Sequence, residues 1–291
     1  MTTAQRSTSD VVRLVVGCGY LGSRVVRGWV AGGDRVVVLT RQAARIDAIA
    51  SLGGTPIVAD VATADLRRLP EATTLFWGVG FDRTPGQTHH DVHVAGLHRL
   101  LDALRGRPRV VFSSSTGVWG DDDGRVVDES TPAHPSREAG RVLLEAEALL
   151  QAHPLGPGTA LRFAGLYGPG RLPRLADLRA GRPIAADPDS TLNLVHVDDA
   201  ARVVGAVADA DHPAERYVVS DGHPVLRRDW YGRLAALAAA PPPVWDPTAP
   251  RVRGSDKRVD SSRLARDFPG VIRHPDALAE LPALVAAELA G

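Results

Sequence analysis

Short runs of β-branched and other apolar residues alternate, over the first two-thirds of the chain, with segments whose apolar residues recur at helical spacing. Runs of the first kind predict buried strands, and spacing of the second kind predicts amphipathic helices. Strands and helices that alternate in this way need crossover connections, so the pattern predicts a parallel sheet with helices on both faces. The predicted strands cover residues 11–16, 35–40, 56–59, 74–77, 109–113 and 158–163. The predicted helices follow the first strand directly and then cover residues 43–52, 88–104 and 137–150.

A glycine-rich segment, residues 17–22, joins the first predicted strand to the first helix and reads Gly-Cys-Gly-Tyr-Leu-Gly. Between a strand and a helix this spacing is typical of a dinucleotide-binding loop. The first glycine permits the tight turn, the second lets a pyrophosphate approach the backbone, and the third lets the helix pack closely on the strand. The alternative is a glycine-rich turn without a ligand. The segment predicts dinucleotide contacts at Gly17, Gly19, Tyr20, Leu21 and Gly22.

The end of the second predicted strand indicates which dinucleotide is bound. NAD-binding proteins usually place a carboxylate there for the ribose 2′-hydroxyl, but this chain has Arg41 there and no acidic residue before Asp47. A guanidinium group forms charge-assisted, bidentate hydrogen bonds to phosphate. We therefore expect NADP, with NAD as the alternative if Arg41 is only a surface residue. Just past the third strand, Asp60 and Val61 are predicted to lie beside the adenine, unless Asp60 serves as a helix cap.

Beyond residue 163 turn residues become frequent and the predicted elements become shorter. Strands are predicted at residues 192–195 and 217–220, and helices at 197–208, 228–239, 261–267 and 276–289. Together with the glycine loop, this predicts an α/β fold with a doubly wound parallel sheet of the Rossmann type. The dinucleotide-binding domain is predicted over residues 10–165, with parts of 192–220 returning to it, and residues 166–291 are predicted to form mainly a smaller, substrate-binding lobe.

Composition argues against several classes of protein. The 291 residues include 34 basic and 34 acidic side chains, and this zero net charge argues against a nucleic-acid-binding protein. A single cysteine, Cys18, leaves no intrachain disulfide and no cysteine-rich zinc site. The sequence has neither a secretory signal pattern nor an apolar run of the roughly 20 residues that a membrane helix needs. We expect a cytoplasmic protein with a small-molecule substrate, without metal, nucleic-acid or membrane partners, and with a homodimer left open.

Further motifs follow the glycine loop in order along the chain. Residues 112–120 read Phe-Ser-Ser-Ser-Thr-Gly-Val-Trp-Gly, residues 161–170 read Leu-Arg-Phe-Ala-Gly-Leu-Tyr-Gly-Pro-Gly, and residues 193–199 read Asn-Leu-Val-His-Val-Asp-Asp. With this ordered set the chain resembles the extended short-chain dehydrogenase/reductase superfamily, in its NAD-dependent epimerase/dehydratase branch, over nearly its whole length. Its glycine loop resembles that of atypical members of the branch.

The resemblance implies where the chemistry takes place. In the family a Ser or Thr after strand five acts with a Tyr and a Lys spaced four residues apart on the next helix, and the tyrosine exchanges a proton with the substrate oxygen. The matching positions here are Ser115, Arg137 and Arg141. The Tyr–Lys pair is missing, because no tyrosine lies between residues 20 and 167 and the only lysine is Lys257. Arginine stays protonated and cannot cycle a proton, although Arg141 can still bind a ribose and Arg137 can hold an anion or a developing oxyanion.

Other site residues are assigned on the same resemblance. The acidic turn after the serine-rich strand offers Asp121 as a substitute proton carrier, unless that turn is simply solvated. His196 is expected to support the junction of the two lobes or to approach the substrate. The cofactor contacts gain Ser113 and Arg141, and the substrate is expected to contact Trp119, Tyr167, His196 and Arg171.

These expectations combine into one function and one alternative. The first is an NAD(P)-dependent oxidoreductase or epimerase-like enzyme that acts on an unknown carbonyl or hydroxyl substrate, with nucleotide sugars as candidates, through a non-standard proton-transfer site. The alternative is a non-redox protein that binds a dinucleotide as a sensor or a structural cofactor. The fold does not decide between them, because one fold serves many functions.

Overall fold

The computed structural model describes residues 11–80, 86–120, 123–246 and 256–290. Within these residues the strands are β1 Val12–Val16, β2 Arg35–Thr40, β3 Thr55–Val58, β4 Thr74–Trp77, β5 Arg109–Ser115, β6 Val126–Val127, β7 Thr159–Phe163, β8 Gly165–Tyr167, β9 Thr191–Leu192, β10 Leu194–His196, β11 Arg216–Val219, β12 Val225–Leu226 and β13 Arg258–Val259. The helices are α1 Gly22–Ala31, α2 Ile46–Ser51, α3 Gly96–Ala103, α4 Glu138–Ala152, α5 Leu175–Arg179, α6 Val197–Asp209, α7 Arg227–Leu237, α8 Ser262–Asp267 and α9 Ala277–Ala290.

The apolar runs of the sequence form one sheet of seven strands, in the order β3–β2–β1–β4–β5–β7–β11. The pairs β2 with β3, β1 with β2, β1 with β4, and β4 with β5 are parallel. Strands β1, β2 and β4 are buried at nearly every position, as expected for strands that are covered on both faces. The chain moves outward from β1 to β3 and then returns to place β4 on the other side of β1. The topological switch point therefore lies between β1 and β4. The predicted doubly wound parallel sheet is confirmed.

The helix expected over residues 88–104 is not a uniform α-helix. It opens with a π-helical turn, Asp91–Ala95, which leads into α3. A π turn holds one more residue than an α turn, and this turn buries three consecutive side chains, those of Val92, His93 and Val94. Apolar spacing does not reveal such an insertion, because the residues on either side of it keep helical periodicity.

The single strand expected over residues 192–195 is instead two short strands that pair with different partners. Strand β9 pairs antiparallel with β12, whereas β10 pairs in parallel with β8. Asn193 lies between them, and its side-chain amide donates to the Lys257 carbonyl oxygen at 2.7 Å and accepts from the Val259 N–H at 2.9 Å. This amide takes the place of a strand's backbone pairing at the point where the chain changes sheet.

The chain divides into two compact units. The first comprises residues 1–114, 142–161 and 201–215, and the second comprises residues 115–141, 162–200 and 216–291. Each has its own apolar core. The core of the first unit includes Leu14, Val37, Leu75, Leu97, Phe112 and Ala146. The core of the second includes Tyr167, Leu194, Trp230, Leu234, Leu281 and Val285.

A buried carboxylate holds the segment before α9 in the second unit. Asp199, in the first turn of α6, is fully buried. It accepts hydrogen bonds from the backbone N–H groups of Arg273 at 3.0 Å and His274 at 2.8 Å, and one of its oxygens lies 3.0 Å from His274 Nδ1. Helix α9 then packs Leu281 and Val285 into the core.

Among the described helices, α9 included, none is long and apolar enough to cross a membrane.

A buried arginine on β1 ties together four elements of the first unit. Arg13 is only 8% exposed. Its guanidinium group donates to Asp34 at 2.9 Å, to the Thr74 hydroxyl at 2.8 Å and to Asp209 at 2.5 Å, and it lies 5.2 Å from the centroid of the Trp29 ring. A buried guanidinium is tolerated only when its hydrogen-bonding groups are satisfied. Arg13 therefore holds β1, the turn before β2, the start of β4 and the end of α6 in one arrangement.

We expect Arg13→Met to lower the free energy of unfolding by about 2 to 4 kcal/mol, because it leaves the largely buried Asp34 carboxylate without its partner. Guanidinium chloride denaturation measures this loss. The matched control is Arg35→Met, since Arg35 is an exposed arginine on the neighbouring strand, and its effect should stay within about 0.5 kcal/mol. Equal effects of the two substitutions would show that the Arg13 network does not stabilise the unit.

Candidate functional site

A pocket in the first unit opens where β1, β2 and β3 end. Because these strands are parallel, the loops that leave their carboxyl ends meet at one edge of the sheet, where ligands bind in folds of this kind. The segment after β4 forms the rest of the wall. The pocket is lined by Val16, Gly17, Cys18, Gly19, Leu39, Thr40, Arg41, Gln42, Arg45, Ala59, Asp60, Val61, Val79, Gly80, Gln87 and Val92. Five predicted cofactor residues thus lie together, namely Gly17, Gly19, Arg41, Asp60 and Val61.

The three glycines of the loop fit a bound pyrophosphate. Gly17 has a φ of +90°, and a Cβ there would lie 2.7 Å from the Gly78 carbonyl oxygen. A Cβ at Gly22 would lie 2.1 Å from the Gly17 carbonyl oxygen, so only glycine lets α1 start this close to β1. A Cβ at Gly19 would meet nothing within 4 Å, which leaves open the space that a pyrophosphate needs.

The N-terminus of α1 suits an anion. No described side chain caps this helix, and its first turn carries no acidic residue. The N-terminal N–H groups and the helix dipole favour negative charge at such a position. Of the other predicted contacts in this unit, Leu21 is buried, Gly22 packs against Gly17, and the Tyr20 ring lies beneath the Arg24 guanidinium at 4.3 Å. These three residues and Ser113 lie outside the lining of the pocket, and their contact with a cofactor stays a prediction.

A chain of hydrogen bonds links three residues of the pocket. Arg41 Nη1 donates to Gln87 Oε1 at 3.0 Å, and Gln87 Nε2 donates to Asp60 Oδ2 at 2.9 Å. The other carboxylate oxygen of Asp60 accepts from the Ala62 N–H at 2.8 Å. Three strands contribute to this chain, because Arg41 follows β2, Asp60 follows β3 and Gln87 follows β4. The sequence predicted Arg41 and Asp60 as site residues but not Gln87.

Arg45 is a second arginine in the pocket that the sequence interpretation missed. It lies in the 3₁₀ turn Ala43–Arg45, and its Nε is buried with no hydrogen-bond partner among the described residues. Helical spacing did not indicate it, because Arg41 precedes this turn and the intervening Gln42 is extended. Burial raises the pKa of the nearby Cys18 thiol, and the charge of Arg45 opposes that shift only in part. Cys18 is therefore a packed thiol in this loop.

The three serines that end β5 have different surroundings. Ser114 is buried, and its hydroxyl donates to Glu147 Oε1 at 2.5 Å. Ser113 and Ser115 are half-buried on the opposite face, as the alternation of a strand requires. Ser115 begins the second unit, and its Oγ accepts from the Gly117 N–H at 3.0 Å. This bond orients the Ser115 hydroxyl and leaves its own proton available for donation.

Trp119 contacts two buried cationic side chains in the second unit, those of Arg162 and Lys257. Its ring is fully buried, its Nε1 donates to the Thr131 carbonyl oxygen at 3.0 Å, and the Arg162 guanidinium lies 4.6 Å from the ring centroid. Lys257, the only lysine of the chain, is itself buried and donates from Nζ to the Trp119 carbonyl oxygen at 2.9 Å. Lys257 is 138 positions from Trp119 in the sequence, but the fold brings it to the segment that carries Ser115.

Two further substrate candidates belong to a buried aromatic cluster of the second unit. Tyr167 is fully buried and contacts the rings of His196 and Trp230 edge-on, at centroid distances of 5.3 and 5.6 Å. The His196 ring stacks on that of His274 at 4.0 Å. Arg171, in contrast, is exposed. Contact of these residues with a substrate stays a prediction.

The arginines that occupy the Tyr and Lys positions are both exposed. Arg137 directly precedes α4 and Arg141 lies in its first turn, and the Arg141 N–H donates to the Arg137 carbonyl oxygen at 3.1 Å. The two side chains therefore lie one helical turn apart, as the family's spacing requires. Asp121, the predicted proton carrier, lies outside the described residues, so its role stays a prediction.

A buried carboxyl group to which the sequence assigned no role lies two residues after β11. Asp221 is 5% exposed, and its Oδ1 accepts from the His223 N–H at 2.9 Å, whereas Oδ2 has no partner among the described residues. Burial raises the pKa of Asp221 to about 7, with a smaller contribution from the Asp276 charge and partial opposition from the His223 hydrogen bond and charge. A carboxyl group with this pKa exchanges its proton near neutral pH.

Among the residues that the structure describes, the histidines of the first unit show no arrangement that favours a metal. His93 is buried in the π-helical turn, and burial, assisted by the charge of His89, lowers its pKa to about 4, so it is a neutral ring at pH 7. One described group, His98 with Asp102 and His153, brings three metal-ligating side chains together. However, the His153 Nδ1 accepts the Leu155 N–H at 3.2 Å, so its proton belongs on Nε2, which lies 3.1 Å from Asp102. This tautomer favours a histidine–carboxylate hydrogen bond over a metal ion.

Residues 13–220 match the sequence model of the NAD dependent epimerase/dehydratase family. The chain belongs to this family. Its resemblance to the extended short-chain dehydrogenases/reductases is thereby confirmed, and its relatives indicate an NAD-dependent, epimerase-like enzyme. YeeZ of Escherichia coli strain K12 is 34% identical over 279 residues, which cover 91% of this chain and 96% of YeeZ.

Solved structures show the same fold. A candidate NAD-dependent epimerase/dehydratase from Methylobacillus flagellatus superposes with a TM-score of 0.77 at 31% identity, covering 97% of this chain and 100% of that one. MoeE5, whose structure contains UDP-glucose and NAD, superposes with a TM-score of 0.75 at 23% identity, covering 95% of this chain and 99% of MoeE5. At this identity the likeness to MoeE5 shows the fold alone.

We expect Asp221→Asn to stabilise the protein, and to do so more strongly at high pH. An aspartate in an unfolded chain has a pKa of about 3.9, so between about pH 4 and pH 7 the folded state holds a proton that the unfolded state has lost. The free energy of unfolding therefore falls as the pH rises through this window. Asparagine keeps the acceptor for the His223 N–H but carries no charge. Denaturation curves should show a gain that is about 2 to 3 kcal/mol larger at pH 8 than at pH 5, at about 1.36 kcal/mol per pKa unit.

The control for this substitution is Asp211→Asn, since Asp211 is exposed. A substitution at an exposed position of this kind should change the free energy of unfolding by no more than about 0.5 kcal/mol at either pH. A gain for Asp221→Asn that is the same at both pH values would show that Asp221 is ionised throughout this range in the folded protein.

Proposed function

We propose that this chain is an NADP-dependent oxidoreductase or epimerase-like enzyme that acts on a carbonyl or hydroxyl group through a proton-transfer site without the Tyr–Lys pair. The observation that carries the cofactor assignment is the presence of Arg41 and Arg45 in one pocket with the glycine loop. The 2′-phosphate is the group that distinguishes NADP from NAD, and two guanidinium groups at the end of β2 are suited to bind it.

The acidic residue of the pocket supports NADP as well. A carboxylate that binds the ribose 2′-hydroxyl of NAD usually follows β2, whereas Asp60 follows β3. Both Asp60 oxygens already accept hydrogen bonds, one from Gln87 and one from the Ala62 backbone. The buried Arg45 Nε, in contrast, is a donor without a partner among the described residues. A buried donor of this kind favours an arriving acceptor, and a phosphate oxygen is a strong one.

Ser115, Arg137 and Arg141 are the residues to which we assign roles in the chemistry. A bound nicotinamide supplies hydride transfer. Ser115 accepts the Gly117 N–H and can donate its hydroxyl proton to a substrate oxygen. Arginine side chains do not cycle a proton in proteins, so we assign Arg137 and Arg141 to binding: Arg141 to the cofactor ribose and Arg137 to a phosphate of the substrate or a developing oxyanion. The proton itself must then come from a hydroxyl, carboxyl or imidazole group, with Asp121 as the candidate that the sequence indicated.

Nucleotide sugars are the substrate class that we propose. MoeE5 binds UDP-glucose together with NAD, and a diphosphate needs cationic partners of the kind that Arg137 and the exposed Arg171 offer. The second candidate function, a non-redox dinucleotide-binding protein, is favoured by one specific observation. The sequence has no tyrosine between residues 20 and 167, and therefore lacks the group that exchanges the proton in the family.

We expect wild-type protein to bind NADP⁺ at least tenfold more tightly than NAD⁺ in calorimetric titrations. Arg45→Ala should weaken NADP⁺ binding by about 10- to 100-fold, since a hydrogen bond to a charged group contributes about 1.5 to 3 kcal/mol, and should leave NAD⁺ binding nearly unchanged. The control is Arg27→Ala, because Arg27 is an exposed arginine on α1 outside the pocket. Tighter binding of NAD⁺ than of NADP⁺ by the wild type would contradict the assignment.

We expect NADPH oxidation with a panel of carbonyl compounds, including nucleotide 4-ketosugars, to identify a substrate, and Ser115→Ala to lower kcat at least tenfold while the Kd for NADPH stays the same. Arg137→Ala should mainly raise KM if Arg137 holds a substrate phosphate. Wild-type turnover by a variant that carries both Ser115→Ala and Arg137→Ala would exclude both residues from the chemistry. Tight NADPH binding without turnover of any compound would favour the non-redox alternative.

A further inference from the structure

We propose that Gln87 is the positioning residue that aligns Arg41 for the cofactor's 2′-phosphate and thereby helps to determine the preference for NADP. This inference rests on the proposed NADP dependence. It assigns a role to a residue that precedes the π-helical turn and that no sequence motif indicated.

The orientation of the Gln87 amide is determined by its neighbours. Asp60 can only accept hydrogen bonds when it is ionised, so the group that faces its Oδ2 at 2.9 Å must be the Gln87 NH₂ group. The Gln87 carbonyl oxygen then points the other way, where it accepts from Arg41 Nη1 at 3.0 Å. Asp60 cannot easily turn, because its other oxygen is held by the Ala62 N–H at 2.8 Å. The direction of the whole chain of hydrogen bonds is thus set by a backbone group.

The amide also separates two opposite charges. A guanidinium group in direct contact with a carboxylate would be largely neutralised, and its donors would be occupied by that carboxylate. Gln87 takes one donor of Arg41 with a neutral oxygen and leaves the positive charge of Arg41 uncancelled by this contact. This contact therefore fixes one nitrogen of Arg41 without placing a negative charge beside it, and such preorganisation favours binding of an anion.

The backbone next to Gln87 is itself held in place. Thr88 and Asp91 form a reciprocal pair: the Thr88 N–H and hydroxyl both donate to Asp91 Oδ2 at 2.8 Å, and the Asp91 N–H donates to the Thr88 hydroxyl at 3.1 Å. This arrangement resembles a capping box at the start of a helix. It anchors the segment directly after Gln87 to the π-helical turn, so that Gln87 reaches Arg41 and Asp60 from a defined position.

The experiment measures Kd for both NADP⁺ and NAD⁺ by calorimetry in the wild type, Gln87→Ala and Gln87→Glu. We expect Gln87→Ala to weaken NADP⁺ binding about 5- to 10-fold and NAD⁺ binding less than twofold. Gln87→Glu should weaken NADP⁺ binding more than tenfold, because a carboxylate beside Arg41 neutralises the guanidinium and repels the phosphate. A purely structural role would weaken the binding of both dinucleotides equally, so an unchanged ratio of the two Kd values would overturn the proposal.

A double-mutant cycle separates Gln87 from other effects. If Gln87 acts through Arg41, Gln87→Ala should have no further effect on NADP⁺ binding in an Arg41→Ala background. Additive losses would overturn the proposal. The matched control is Gln151→Ala, because the Gln151 amide also donates a hydrogen bond in the first unit, to the Gly158 carbonyl oxygen at 3.0 Å, but lies outside the pocket. This control should leave the ratio of the two Kd values at its wild-type level.

The wild-type measurement tests the proposed function separately. If the wild type prefers NADP⁺ and Gln87→Ala keeps that preference, only the role of Gln87 is wrong. If the wild type shows no preference for NADP⁺, the assignment of NADP fails, and the role of Gln87 in selecting it fails with it.

Discussion

The close approach between the end of β1 and the start of α1 is the constraint on which the rest of the site depends. Gly17, with a φ of +90°, can pack against the backbone of Gly78 only because it carries no Cβ. Gly22 can lie against the Gly17 carbonyl for the same reason. This approach presents the N-terminus of α1 to the space above Gly19. Arg41 and Asp60 face the same space because β2 and β3 run parallel to β1 and end at the same edge of the sheet.

The central sheet could be predicted because its information is local. Each of its first strands is a run of apolar residues whose burial does not depend on a particular partner, and each glycine of the loop has its own steric reason. The short strands β9 and β10 could not be separated in this way. They part at Asn193, whose amide bonds to residues 64 and 66 positions away, and no pattern within residues 192–195 records that contact.

The same distinction applies to the site. Arg41 could be predicted from its place at the end of β2, whereas Arg45 could not, because the extended Gln42 separates it from Arg41 and breaks any helical spacing. The contacts of Gln87 and Lys257 could not be predicted, because they join loops and strands that are distant in sequence. Lys257 reaches Trp119 across 138 positions. Periodicity and motifs cannot predict the role of a residue when that role depends on a contact with a residue distant in sequence.

The surroundings of Tyr167 and Lys257 argue against both as replacements for the family's Tyr–Lys pair. In the family a lysine lowers the pKa of the catalytic tyrosine, but the pKa of Tyr167 is raised, first by burial and then by the charges of Asp221, Glu280 and Asp276. Tyr167 therefore holds its proton more tightly than a free tyrosine and cannot replace the missing one. Lys257 already donates to the Trp119 backbone from a buried position. Tyr167 and Lys257 are thus poor substitutes for the family's Tyr–Lys pair, and the proposed proton transfer has to use another hydroxyl group, a carboxyl group or an imidazole.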